Sequence, residues 1–221
     1  MIPPHSASSL QMIKRCPHQW AEHYLRKRVP YYESPEAKYG NRVHTALEVR
    51  LRDGTKLPAD IEQHEKFVQP LVRYKPDVEL KLGCNAAGQP VGFFDKGVYL
   101  RGKLDVVVHQ DDQSCLFDWK TGKTYEDPFE LRVHALLLRI NRPQIKRIVG
   151  HYVWLKSGQL GRQHDLSGTA ITWADIKMLH EKAQRMETEQ NFPKVANVLC
   201  GWCRVHDCEL NPENQNAGQH P

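Results

Sequence analysis

The sequence predicts an α/β fold: a mixed central sheet flanked by helices, with a helical layer at the N-terminus and a cysteine-rich segment at the C-terminus. Three observations predict it. Up to about residue 74 apolar residues recur mainly at helical spacing. From about 76 to 156, alternating or continuous apolar runs are separated by turn residues, as strands are. A helical pattern over 128–141 interrupts these runs, and a long polar helix follows over 172–191.

The elements follow in order. Residues 6–9 supply capping hydroxyls, after which Leu10, Ile13, Trp20, Tyr24 and Leu25 mark a helical face. Pro17 lies inside this pattern and should kink the helix or start a second one. Residues 27–39 read as a polar connection, and 40–51 as a helix with Val43, Leu47 and Leu51 on one face and His44 beside it. Asp53-Gly54 ends it. A third helix is expected over 59–74, stopped by Pro76, and a strand over 78–82. A turn at 85–90 leads to three successive strands over 97–123. Asp127-Pro128 then starts a helix. Residues 147–156 alternate as a strand, and 159–165 as a returning one. The tail, 211–221, is polar and rich in Asn and Gln, and is expected to be disordered. Residues 1–210 therefore read as one domain with its core at about 76–156.

Composition narrows the function classes. At 221 residues, 40% of them hydrophobic, the chain can bury a real core. A net charge of +5 suits a polyanionic partner without requiring one. No apolar run reaches membrane-spanning length and the N-terminus lacks a secretory segment, so a cytoplasmic location is expected. No Gly-x4-Gly-Lys-Ser/Thr loop is present, so any ATPase or helicase activity would have to come from a partner.

The chemistry concentrates in residues 97–123, GVYLRGKLDVVVHQDDQSCLFDWKTGK. Alternation puts Asp118 and Lys120 on one face of a strand, with Phe117 and Trp119 on the other. Asp105 interrupts the apolar run Leu104–Val108, where a carboxylate is costly to bury unless a positive group neutralises it. Phosphodiester hydrolysis needs oxygen ligands for a hard divalent cation, an activated water, and a cation for the charge that develops. Asp105 and Asp118 on adjacent antiparallel strands can share one metal, and Lys120 can orient the water. Glu79, on the preceding strand, is a third and poorly placed carboxylate. A lone D-x-K is usually a solvent-facing ion pair. The apolar context here weighs against that.

These residues resemble a known family. The run RGKLDVVV…LFDWKTGK looks like the core of the PD-(D/E)XK nucleases, in the RecB-type and phage-exonuclease branch. SSLQMIKRCPHQWAEHYL resembles the N-terminal helix of that branch, and GNRVHTALE its G-x-x-x-H helix. The resemblance implies a restriction-endonuclease-like core, with His44, Asp105 and Asp118 as metal ligands for Mg2+ or Mn2+ and Lys120 as the catalytic lysine. By itself His44 would read as an ordinary helical histidine. One departure stands out: the helix after the lysine carries Glu130 and His134 where the family has Gln and Tyr. Both remain candidates for substrate contact, and for Glu130 a solvated helix face is an equal reading. Lys123 is the better phosphate contact. Lys14, Arg15, Arg26, Lys27 and Arg28, near Trp20, Tyr24, Tyr31 and Tyr32, form a basic and aromatic patch suited to single strands, although each is ordinary surface or core chemistry by itself and Trp20 reads rather as a packing residue.

Cys200, Cys203 and Cys208 form a compact thiolate cluster that needs a fourth ligand for zinc or a 4Fe-4S cluster. His206 would complete a local zinc site, and Cys16 would tie the chain ends together. The resemblance favours Cys16 and iron–sulfur, as in relatives of the AddB subunit and the CRISPR adaptation nucleases. Cys84 and Cys115 have no partners by spacing. The whole implies a metal-dependent DNA nuclease, an exonuclease acting on single- or double-stranded DNA in recombination, repair or phage DNA processing, with a helicase or recombination partner possible. The rivals are a non-catalytic, zinc-stapled nucleic-acid-binding module and a site-specific endonuclease on the same fold.

Overall fold

The computed structural model describes residues 1–125, 127–205 and 207–212. His206 and tail residues 213–221 lie outside the described residues. The chain divides into two compact units, Met1–Tyr32 with Trp173 onward, and Glu33–Thr172.

In the first unit, α1 (Ala7–Arg15) starts at Ser6, whose hydroxyl accepts from the Ser9 N–H at 3.2 Å. Pro17 cannot donate to the preceding turn, so the helix stops. Cys16 adopts an extended conformation (φ −154°), and the chain restarts as α2 (Pro17–Trp20), followed by a five-residue π turn over Ala21–Leu25. The proline break expected from sequence thus sets Cys16 outside helical geometry. Trp20 is fully buried beside Phe192, in the packing role its sequence context favours. The C-terminal segment makes a short 3-10 turn at Cys200–Trp202.

In the second unit, α3 (Pro35–Asp53) begins five residues before the expected Gly40. The reason is local: Ser34 caps it, accepting from the Ala37 N–H at 3.2 Å, and Pro35 takes the first turn, where its missing N–H costs nothing. Gly54 ends it in the left-handed conformation (φ 76°). A 3-10 turn (Ala59–His64) leads into α4 (Glu65–Val72).

The strands are β1 (Asp77–Cys84), β2 (Pro90–Val91), β3 (Leu100–Gln110), β4 (Gln113–Lys120), β5 (Arg147–Trp154), β6 (Gln159–Leu160) and β7 (His164–Asp165), with α5 (Phe129–Asn141) between β4 and β5. Their order is β2-β1-β3-β4-β5-β6, with β7 also on β5. β4 and β5 run parallel and the other pairs antiparallel, so the sheet is mixed as expected. Residues 97–123 hold two strands rather than three: β3 runs unbroken for 11 residues because nothing within it turns the chain. Gly102 is there for packing instead, since a Cβ would lie 2.8 Å from Leu137 and 3.0 Å from His134 on α5. The single returning strand expected over 159–165 is two short pieces. They are separated by Gly161, whose N–H bonds the Tyr152 carbonyl at 2.8 Å.

Val43, Leu47 and Leu51 of α3, with Val68 and Leu71 of α4, pack on Val106, Val108, Trp119 and Val153 of the sheet. The helix α5 covers the other face through Leu131, Leu137 and neighbours. Gly102 faces α5 while Val106, an even four residues on, faces α3 and α4. Regular alternation would put both on one face. The phase therefore slips between them, at Asp105. Among the described residues no helix is long and apolar enough to cross a membrane.

Candidate metal centre and active site

The slip has a backbone cause on the neighbouring strand. Glu79 of β1 stands opposite Asp105, between the Val78–Val106 and Leu80–Leu104 pairs, at a point where pairing lapses. Its φ is 52°, in the left-handed region that non-glycine residues rarely adopt. On the far side, pairing of β3 with β4 ends at Val106–Phe117. There the Asp105 side chain takes over, its Oδ2 accepting the Trp119 N–H at 2.8 Å.

His44 reaches this point from α3. Gly40, one turn earlier on the same helix face, lies so close to the end of β4 that a Cβ would sit 3.0 Å from Thr121 Oγ1. His44 Nδ1 is then 3.5 Å from Asp105 Oδ1. One donor atom each from His44, Glu79 and Asp105 lie within 4.8 Å of one another. Two carboxylates and an imidazole, with no thiolate, could hold a hard divalent cation such as Mg2+ or Mn2+. Glu79, judged poorly placed from sequence, is thus among the three residues the structure gathers. Lys103 forms an ion pair with it.

Asp118 lies beside this trio but faces Lys120. The Lys120 Nζ sits 2.6 Å from Asp118 Oδ2 and 2.7 Å from Glu130 Oε2. The Asp118 contact is a close approach whose geometry falls short of a hydrogen bond, whereas Glu130 accepts one. Glu130, at the start of α5, therefore turns toward the lysine and is partly buried. The Tyr152 ring lies 5.5 Å from the same ammonium, and its hydroxyl donates to the Asp127 carbonyl. His134 is buried against Gly102, and burial lowers its pKa against the pull of Glu130 and Asp105. Lys123 is exposed, three residues past Lys120.

Electrostatics divide these groups. Burial lowers the His44 pKa, but the hydrogen bond and charge of Asp105 outweigh it and leave a net rise. Burial likewise raises Asp105, and His44 with the Trp119 N–H brings it below its usual value. Burial would lower Lys120, yet Asp118 and Glu130 raise it strongly, so the ammonium stays charged. Burial, reinforced by Asp105 and Glu130 and opposed by Lys120, pushes the Asp118 carboxyl up to about 8.

A pH dependence follows from Asp118. The unfolded chain releases this proton near pH ~4, whereas the folded, metal-free chain keeps it up to about 8. Between these values the native state binds more protons, so this group's contribution to stability declines as pH rises. Asp118→Asn is expected to raise the metal-free melting temperature by roughly 2–4 °C for each kcal/mol gained, and more at pH 8 than at pH 5. Thermal melts in EDTA at the two pH values check it. A gain larger at pH 5 would contradict the sign.

At the other chemistry-bearing location, within the first unit, Cys16, Cys200, Cys203 and Cys208 line one cavity. Cys200 Sγ accepts the Asn197 N–H at 3.3 Å. Burial, with the neighbouring sulfurs, raises the Cys203 thiol. Asn211 is buried there and donates to the Cys203 carbonyl at 3.0 Å. Cys84 and Cys115 stand apart, and burial pushes both thiols up to about 11, where they are inert.

A family profile described as the PD-(D/E)XK nuclease superfamily matches residues 75–208, more than half of the sequence. The chain belongs to the PD-(D/E)XK nuclease superfamily. In this PD-(D/E)XK protein the matched region takes in Glu79, Asp105, Asp118, Lys120 and the three C-terminal cysteines, while His44 and Cys16 precede it. Membership implies a phosphodiester hydrolase with a nucleic-acid substrate. Two of the solved structures that share the fold illustrate it. A protein of Eubacterium rectale, provisionally named an exonuclease, superposes with a TM-score of 0.60 at 13% identity, covering 98% of this chain and 92% of its own. The protein SSO0001 superposes with a TM-score of 0.57 at 16% identity, covering 94% and 86%. No curated protein sequence matches.

Proposed function

We propose that this superfamily member is a divalent-metal-dependent deoxyribonuclease of the RecB-like branch, acting as an exonuclease in DNA recombination, repair or phage DNA processing, and carrying a 4Fe-4S cluster. The observation that carries the catalytic reading is a charged lysine held 2.6 and 2.7 Å from two carboxylates beside a gathered His-Glu-Asp trio. We assign His44, Glu79, Asp105 and Asp118 to the cation, which when bound supplies a Lewis acid for phosphoryl oxygens and a nucleophile at neutral pH. Asp105, fixed by the Trp119 N–H, orients its carboxylate without rotamer search. Lys120, kept protonated by Asp118 and Glu130, acts as a fixed cation: it orients a water and neutralises charge developing on the phosphate. Its raised pKa makes it unsuited to general base catalysis. Lys123 contacts a phosphate of the strand, and Glu130 positions the lysine.

The named exonuclease among the fold neighbours supports the preference for chain ends. A single functional domain over residues 1–210 belongs to the same reading. For the cysteines, the cavity lined by Cys16 and the C-terminal three supports a shared site.

The test is cleavage of end-labelled single- and double-stranded linear DNA and of closed circular DNA, with Mg2+ or Mn2+. Linear DNA is expected to shorten from its ends and the circle to survive. Cutting of the circle at fixed positions would make it a site-specific endonuclease. No metal-dependent cleavage of any substrate would leave a binding module.

A further inference from the structure

A groove of about 660 Å³ opens where β4 ends, lined by Tyr39 on α3, His64, and the loops carrying Thr121–Lys123 and Lys156. That is within the usual size of ligand sites, roughly 300–1,000 Å³. Two features of its wall are matched to a nucleotide. Tyr39 is 44% exposed, and the Arg42 guanidinium, itself paired with Asp60, lies 5.5 Å from its ring centroid and holds the ring in place. Lys123 and Lys156 are exposed, and among the described residues neither has an anionic partner. They outnumber the one carboxylate of the wall, Glu36.

We propose that this groove is a subsite for an unpaired nucleotide of a DNA strand, with one base stacked on Tyr39 and flanking phosphates on Lys123 and Lys156. It rests on the nuclease reading and deepens it by naming single-stranded DNA as what enters beside Lys120. Stacking on an exposed aromatic tolerates any base but needs that base unpaired, so the subsite discriminates against intact duplex without reading sequence. Because Thr121 directly follows Lys120, a strand seated here runs past the catalytic lysine.

The test is fluorescence anisotropy in EDTA, with a labelled oligothymidylate and a blunt duplex as probes. Tyr39→Ala is expected to weaken oligothymidylate binding roughly 5- to 100-fold, with little change for duplex, and Tyr39→Phe to keep wild-type affinity. Lys156→Ala should lower the slope of log K against log salt by about 0.7. Tyr39 is a surface residue, and melting temperatures confirm that the variants fold. Unchanged oligothymidylate affinity in Tyr39→Ala, or equal loss for both probes, would overturn the subsite. Mn2+-dependent cleavage by the wild type, run alongside, separates the two readings. Cleavage with an unaltered Tyr39→Ala sinks the subsite alone. No cleavage, but selective loss of single-strand binding, sinks the nuclease reading alone.

Discussion

Lys120→Ala is expected to reduce metal-dependent cleavage roughly 10²- to 10³-fold, the loss seen when a preorganised charge stabiliser is removed. Binding of DNA should persist, because phosphate contacts elsewhere on the surface are untouched. The ammonium is the shared partner of Asp118 and Glu130, so its removal leaves two carboxylates facing each other at a buried point. The Asp118 carboxyl then holds its proton still more tightly, and cation affinity at neutral pH should weaken with it. Lys120→Arg is not expected to rescue: a planar guanidinium cannot occupy the single point at which one nitrogen meets both acids. Cleavage rates and anisotropy on the same preparations check this. Retention of more than a tenth of wild-type rate by Lys120→Ala would remove the lysine from the mechanism.

Cys16→Ser carries the second large effect. Under the proposed ligation, anaerobically purified wild-type protein is brown, with broad visible absorbance, and the variant is expected to be colourless. Cys16 lies before α2 and the other three cysteines near the C-terminus. A ligand set split this way closes a loop through most of the chain, and its loss removes a constraint on the unfolded state comparable to that of a long-range disulfide, about 2–4 kcal/mol. Visible spectra, iron content and thermal melts are the readouts. A colourless wild type with stoichiometric zinc would replace the cluster by a zinc site. Brown Cys16→Ser protein would remove Cys16 from it.

Particular residues show how far the sequence could be read. The break at Pro17, the stop at Gly54 and the start of α5 after Asp127-Pro128 were legible because each depends on a missing N–H, a positive φ or a cap. The early start of α3 was equally legible in Ser34-Pro35, but the polar stretch around it masked the signal. Alternation put Phe117 and Trp119 on one face of β4 and Asp118 and Lys120 on the other, and both aromatics pack on the α3–α4 core because β4 is regular throughout. It failed at Glu79, whose left-handed backbone no propensity anticipates, and at Asp105, where the phase of β3 slips. It was also silent on Glu130, since which way the first turn of α5 faces depends on how the helix lies across the sheet.

The sequence by itself determined the kinds of side chain available for chemistry: the acids, the lysine between Trp119 and Thr121, the histidine on a helix, and the divided cysteines. It also determined the α/β class, because periodicity, caps and turns act over a few residues. Only the tertiary structure decided which of these groups meet. Glu79 joins His44 and Asp105, and Lys120 is shared by Asp118 and Glu130, through strand register and helix placement. Those are settled by burial and pairing between residues far apart in the chain, which local patterns do not encode.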